Sequence, residues 1–244
     1  FQSSSTLGVI QHGDVVSDRG RIVHRNLELL SAFHVTVPGP DLGLDALQVR
    51  ETGEVLFSIG SDVPAPQVGQ LRHGDLLSNS GTIVARNAEL LARFHPAVSK
   101  DYGLDAVYVW PNGEIWFSTR DGFEDTQLGT IGSGDLLSDE GMVIFHNLEL
   151  MAAFAPVEDV SSFGLDALFV VTDLTGPAAP SRFTNIVHNP GRGTVSMQWT
   201  GPGKVFQVLK AAQVNGLYMP ISPLMPSVDY EDATGPGYYR LRQW

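Results

Sequence analysis

Three stretches of the chain are nearly the same sentence. Residues 13–29 read GDVVSDRGRIVHRNLEL, residues 74–90 read GDLLSNSGTIVARNAEL, and residues 134–150 read GDLLSDEGMVIFHNLEL. Further landmarks keep the same order: GLDALQV (43–49), GLDAVYV (103–109) and GLDALFV (164–170); GEVLFSIGSD (53–62) and GEIWFSTRDG (113–122); LGVI (7–10), VGQL (68–71) and LGTI (128–131). The period is about 60 residues. A fixed period of this kind marks a supersecondary unit that cannot bury its apolar face alone and stacks on its neighbours to do so.

The third copy has no GEIWFS strand after it and runs into TDLTGPAAP, which is linker-like in composition. The N-terminal FQSSSTLGVI corresponds to the end of that absent segment, so residues 1–8 are expected either to complete the last repeat or to follow a strand that the chain lacks. These features divide the chain into a repeat domain at 1–174, a linker at 175–181 and a C-terminal module at 182–244. The opening FQSSST, with no initiator Met, reads as a mature or trimmed product.

Each repeat is mainly β. DLLS and TIVAR are short apolar runs joined by Ser-Asn-Ser-Gly, a hairpin signal in which the Gly accepts positive φ. NAELLARF follows, with Asn87 as an expected N-cap, Glu89 in the first turn, and Leu90, Leu91 and Phe94 on one face of a short helix. LDAVYVW and EIWFST form a second hairpin across Pro-Asn-Gly. The expected fold is all-β with one short helix per repeat. Three such units are compatible with a propeller-like arrangement, a trefoil-like arrangement or a half-propeller completed in a homodimer. A small β-sandwich follows.

Composition excludes several classes. The net charge of −12 is uneven: residues 1–174 hold 9 Lys/Arg against 24 Asp/Glu, and residues 175–244 hold 6 against 3. An acidic body repels phosphate, so nucleic acid is not an expected partner. No apolar run approaches a membrane span, and the chain has no cysteine for a disulfide, a thiolate metal site or a Cys nucleophile. No P-loop, Rossmann, G-x-S-x-G or H-E-x-x-H pattern occurs, so no nucleotide or organic cofactor is expected.

NGEIWFSTRDG resembles the blade motif of bacterial β-propellers of the virginiamycin lyase-like and sensor-propeller types. The C-terminal VSMQW, KVFQVLKA and YYRLRQW resemble the strands of fibronectin type III-like modules that end many exported bacterial proteins. The second resemblance implies a secreted, periplasmic or cell-envelope location.

Two sets of recurring carboxylates stand out. Asp45, Asp105 and Asp166 share a strand face with apolar residues, and are expected to be structural, accepting backbone N–H groups. Asp14, Asp75 and Asp135 follow a Gly turn, where they either pin the hairpin or ligate a cation. The copies disagree at one neighbouring position: His12 and His73 precede Gly-Asp in the first two, and Ser133 stands there in the third. If the repeats close around an axis, His12, His73, Asp14 and Asp75 could form a catalytic centre or a divalent site for Ca or Zn, with Asp135 as a further ligand. Tyr102, Tyr108, Trp110 and Trp116 offer either packing or a sugar-stacking surface. Two functions follow as expectations: an extracellular binding or scaffold protein for polysaccharide or another polymer, with or without Ca as a stiffening ion; alternatively, a metal-assisted hydrolase or lyase acting on a small-molecule substrate at a central Asp/His site.

Overall fold

A computed structural model describes residues 3–5, 8–36, 41–160, 163–170, 181–201 and 205–243. Nearly all of the linker expected at 175–181 lies outside the described residues. The chain divides into two compact units, residues 1–109 with 114–169, and residues 110–113 with 170–244. Every sheet is antiparallel, so the class is all-β with short helices. Among the described residues no helix is long and apolar enough to cross a membrane.

The first unit contains two four-stranded sheets of the same design. One runs Leu47–Val49, Val55–Phe57, Leu76–Ser78, Thr82–Ala85; the other runs Ala106–Val109, Ile115–Ser118, Leu136–Ser138, Met142–Phe145. Strand order follows chain order in both. The sheets are out of phase with the sequence motif: each takes its first two strands from the end of one repeat and its last two from the start of the next. Val15–Ser17 and Arg21–His24 form the corresponding last two strands of a further sheet and stand as a pair among the described residues. All three of these hairpins carry the same register shift, between Val15 and Val16, Ile83 and Ala85, and Leu136 and Leu137. Small hairpins at Ser3–Ser5/Gly8–Ile10, Val63–Ala65/Gly69–Leu71 and Phe123–Asp125/Gly129–Ile131 precede each Gly-Asp step. The strands at 3–5 and 8–10 thus pair as those at 63–65 and 69–71 and at 123–125 and 129–131 do.

The short helices cover the sheets. Asn26–Leu29 and Asn87–Leu90 each span one turn, too short to be stable in isolation, so packing sustains them. Leu29, Leu30 and Phe33 share one core with Phe57 and Leu77. One repeat later, Leu90, Leu91 and Phe94 share a core with Phe117 and Leu137. Phe94 meets Phe117 and Phe123 edge-to-face, with ring centroids 6.5 and 6.1 Å apart. This geometry satisfies the ring quadrupoles. The hairpins of the second and third copies reach the helical segment of the copy before them, Gly81 at Ala32 and Gly141 at Arg93. Gly81, at φ 88°, has no room for a side chain, because a Cβ there would lie 2.9 Å from the Ala32 methyl. In the third copy, by contrast, Leu150 and Phe154, the counterparts of Leu29 and Phe33, remain exposed.

Asn87 is not the N-cap expected from the sequence. Arg86 occupies that position, and its N–H donates to the Glu89 carboxylate at 2.7 Å. The Asn87 side chain is buried because it has a more distant task. It accepts from Tyr102 N–H at 3.1 Å and donates to Gly103 C=O at 3.2 Å.

The second unit has two three-stranded sheets: Arg182–Asn189, Thr194–Thr200 and Asp229–Asp232; and Met219–Pro220, Phe206–Ala211 and Tyr238–Gln243. Alternating residues of both meet in one core of Val195, Met197, Trp199, Phe206 and Val208. Lys210 Nζ donates to Asp232 at 2.8 Å, to Thr234 at 2.7 Å and to Gly235 C=O at 2.6 Å. Burial opposes ionisation of Asp232, but Lys210, the hydroxyl and N–H of Thr234, and Tyr239 hold its carboxyl down at about 2.

Phe117 is fully buried, whereas Phe169 is 84% exposed. Phe117→Ala is expected to cost about 3–5 kcal/mol. Phe169→Ala is expected to stay within about 0.5 kcal/mol. Urea unfolding followed by far-UV dichroism separates the two.

Candidate functional site

The residues that recur mostly hold the scaffold. Asp75 Oδ2 accepts from Arg72 N–H at 3.1 Å and from Arg86 Nη1 at 2.7 Å. Asp14 repeats this with Gln11 N–H at 3.0 Å and Arg25 Nη1 at 2.6 Å. Asp135 accepts from Gly132 N–H at 2.9 Å and Asn147 N–H at 2.8 Å, and its Oδ2 lies 3.1 Å from His146 Nδ1. All three carboxylates are almost wholly buried. Each ties a tight turn to the start of the helix. Among the described residues no three His, Asp or Glu side chains are grouped as they would be around a metal ion.

The Gly-Leu-Asp segments are positioned by two further recurring side chains. Asn26 holds Leu42 N–H and Gly43 C=O, each at 2.9 Å, as Asn87 holds Tyr102 and Gly103. The buried Ser58 hydroxyl accepts from Ala46 N–H and donates to Leu104 C=O, both at 2.8 Å. Ser118 likewise donates to Leu165 C=O at 2.7 Å. Each Phe-Ser strand therefore grips the residue before the Asp of the next repeat. The Gln48 side chain reinforces this by accepting from Val109 N–H at 2.7 Å and donating to its C=O at 3.3 Å.

Asp45, Asp105 and Asp166 are consequently brought within electrostatic range of one another. Burial pushes the Asp105 carboxyl up to about 6, the charges of Asp45 and Asp166 push in the same direction, and Arg120 opposes them. Asp45 is also raised, first by burial and then by Asp166, against the pull of Arg120 and His73. The sequence suggested backbone donors for these carboxylates; in the structure their surroundings are each other, Arg120 and His73.

Beside them lies a cavity of about 380 Å³ that includes His12, Asp41, Asp45, Gly60, Ser61 and Arg120 in its lining. Asp41 is held by Gly13 and Gly43 N–H, both at 3.1 Å. His73 is engaged by two carboxylates, Asp62 and Asp101. Its Nδ1 is 2.9 Å from Asp62 Oδ1, its Nε2 is 3.7 Å from Asp101 Oδ1, and Asp62 also accepts its backbone N–H at 2.9 Å. Burial works against ionisation of Asp62, yet these His73 contacts leave its carboxyl lowered. Tyr102, Trp110 and Trp116 are buried, so they offer no exposed surface for stacking on a sugar.

Arg120, Asp41 and Asp62 belong to the site and went unnoticed in the sequence. The signal was present for two of them. Arg120 stands where the preceding copy has Gly60, and Asp62 stands where the following copy has Gly122. The same disagreement between copies that pointed to His73 points to both.

The raised carboxyls have a consequence for stability. A group whose folded pKa exceeds its unfolded value of about 3.9 favours folding when protonated, and that contribution is lost as pH rises through the folded pKa. Between about pH 4 and pH 6 the wild type is expected to lose stability relative to Asp105→Asn, whose amide does not titrate. Denaturation midpoints measured across that interval check this; parallel curves would refute it. No protein-family model matches the chain, and no curated protein shows significant similarity to it.

Proposed function

We propose that the chain is a binding or scaffold protein, with propeller-like repeats as the frame and the cleft of His12, Asp41, Asp45 and Arg120 as the ligand site. Its ligand is polar and rich in hydroxyl groups, as at the end of an extracellular polysaccharide. The observation that carries this reading is the separation of roles. Recurring residues such as Asp75, Asn87 and Ser58 are consumed in holding the fold. Non-recurring Arg120 borders a polar cavity beside the carboxylates that the repeats bring together. Two carboxylates, an imidazole and a guanidinium supply both donors and acceptors, as neighbouring hydroxyls require. The C-terminal unit, read as a fibronectin III-like module on a secreted or envelope protein, fits the same role as a spacer.

A second reading has one observation in its favour. A carboxyl at about 6 is suited to moving a proton near neutral pH. A hydrolase or lyase would use Asp105 as acid or base, with Arg120 stabilising developing negative charge.

A panel of immobilised glycans, followed by calorimetric titration of any hit, distinguishes the readings. Binding without turnover, weakened about tenfold or more by Arg120→Ala and by Asp45→Asn, supports the first. Turnover of glycosides or esters that Asp105→Asn abolishes, with an apparent pKa near 6 in the wild type, supports the second.

A further inference from the structure

A second cavity, of about 480 Å³, lies in the first unit and shares no lining residue with the cleft of His12 and Arg120. Part of its wall is the recurring frame of Asp75, Arg86 and Asn87. Arg86 is held in place there: Nη1 donates to Asp75 and to Gln70 C=O, both at 2.7 Å, and Nη2 donates to Val68 C=O at 3.3 Å. Other lining residues are peculiar to the second copy. Arg72 stands where the other copies have Gln11 and Gly132, and Gln70 where they have Val9 and Thr130. Lys100, counted back from Gly-Leu-Asp, stands where they have Pro40 and Ser161. Ala88 stands where they have Leu27 and Leu148, so this wall lacks the bulk of a leucine side chain.

Positive charge gathers here against the trend of the chain. Residues 1–174 hold 9 Lys/Arg against 24 Asp/Glu, and three of those nine, Arg72, Arg86 and Lys100, line this one cavity. Arg72 donates through its backbone N–H to Asp75, and its guanidinium makes no hydrogen bond among the described residues. Lys100 Nζ reaches Asp121 at 2.6 Å and lies 4.8 Å from the centre of the Tyr102 ring. An exposed ion pair of this kind binds weakly, and an ammonium keeps its other donors. The carboxylates in the wall need donors in turn. Asp75 is 1% exposed, and its Oδ1, like Asp101 Oδ2, is a buried oxygen without a donor among the described residues. A buried acceptor left without a donor is costly, and a hydroxyl supplies one.

We propose that this cavity binds a sugar acid, a hydroxylated ring that carries a carboxylate, as in a uronic acid residue. The carboxylate meets the planar fork of Arg72 and the ammonium of Lys100. The hydroxyls donate to Asp75 and Asp101 and accept from the Gln70 amide. Ala88 gives the ring its room. Asp75 and Asp101 repel a bare anion, so hydroxyls beside the carboxylate decide which anions enter. The acidic remainder of the unit repels polyanions, and this cavity is where an acidic glycan can be held. The cleft of His12 and Arg120 lies apart from it, so either site can fail without the other.

The test is calorimetric titration of the full 244-residue chain with sodium D-glucuronate, with D-glucose, acetate and inorganic phosphate as controls. Saturable binding of glucuronate is expected, about tenfold or more tighter than that of any control. Arg72→Gln and Ala88→Leu each install a residue that another copy carries at the same place, and Leu27 and Leu148 show that the fold accepts leucine there. Both variants are expected to keep the wild-type urea midpoint and to weaken glucuronate binding about tenfold or more, one by removing charge and the other by filling space. Absence of saturation up to about 10 mM overturns the proposal. Equal affinity for acetate or phosphate also overturns it, since any anion then suffices. So does glucuronate binding that survives both variants and is lost in Arg120→Ala, because the sugar acid then occupies the other cleft.

Discussion

A buried hydroxyl holds the first unit together. Ser58, with no exposed surface, accepts from Ala46 in its own sheet and donates to Leu104 at the threshold of the next. A hydroxyl can serve two partners at once, and in a dry interior neither bond has water as a competitor. The first strand of one sheet is thereby set beside the first strand of the following one, where Gln48 and Val109 complete the seam. Ser118 extends the same link to Leu165.

That link has an electrostatic consequence. Asp105 and Asp166 each directly follow the leucine carbonyl that a serine grips, so joining the repeats brings their carboxylates into one neighbourhood. Like charges near one another, partly removed from water, disfavour ionisation. Asp105 bears most of this, between Asp45 and Asp166. Arg120 relieves it from a position where the neighbouring copy has glycine. The site is thus a product of the joint between repeats within the first unit, modified by residues that differ from repeat to repeat.

The regular part of the design was legible in the sequence. Short strands, hairpin glycines and the Leu-Leu-x-x-Phe face are properties of local chain chemistry, and they recur because each copy solves the same packing problem. The phase of the sheets was not legible, because a sequence repeat fixes a period but not which strands share a sheet. Asn87 illustrates the limit at the level of one residue. Its place before a helical run suggests a cap, but the segment it actually serves, at Tyr102 and Gly103, lies fifteen residues away. Distance in the chain carries no record of that choice.

Asp14, Asp75 and Asp135 could have been ligands or struts on sequence grounds alone. Folding gave each a basic side chain and at least one N–H. The sequence by itself determined an acidic, cysteine-free, mainly β chain with a period near 60 residues, because composition and periodicity act locally on the backbone. Only the tertiary structure decided that Asp45, Asp105 and Asp166 face a common neighbourhood with Arg120, and that each four-stranded sheet joins the end of one repeat to the start of the next. Both depend on which strands become neighbours, and strand pairing is settled by contacts between residues far apart in the chain.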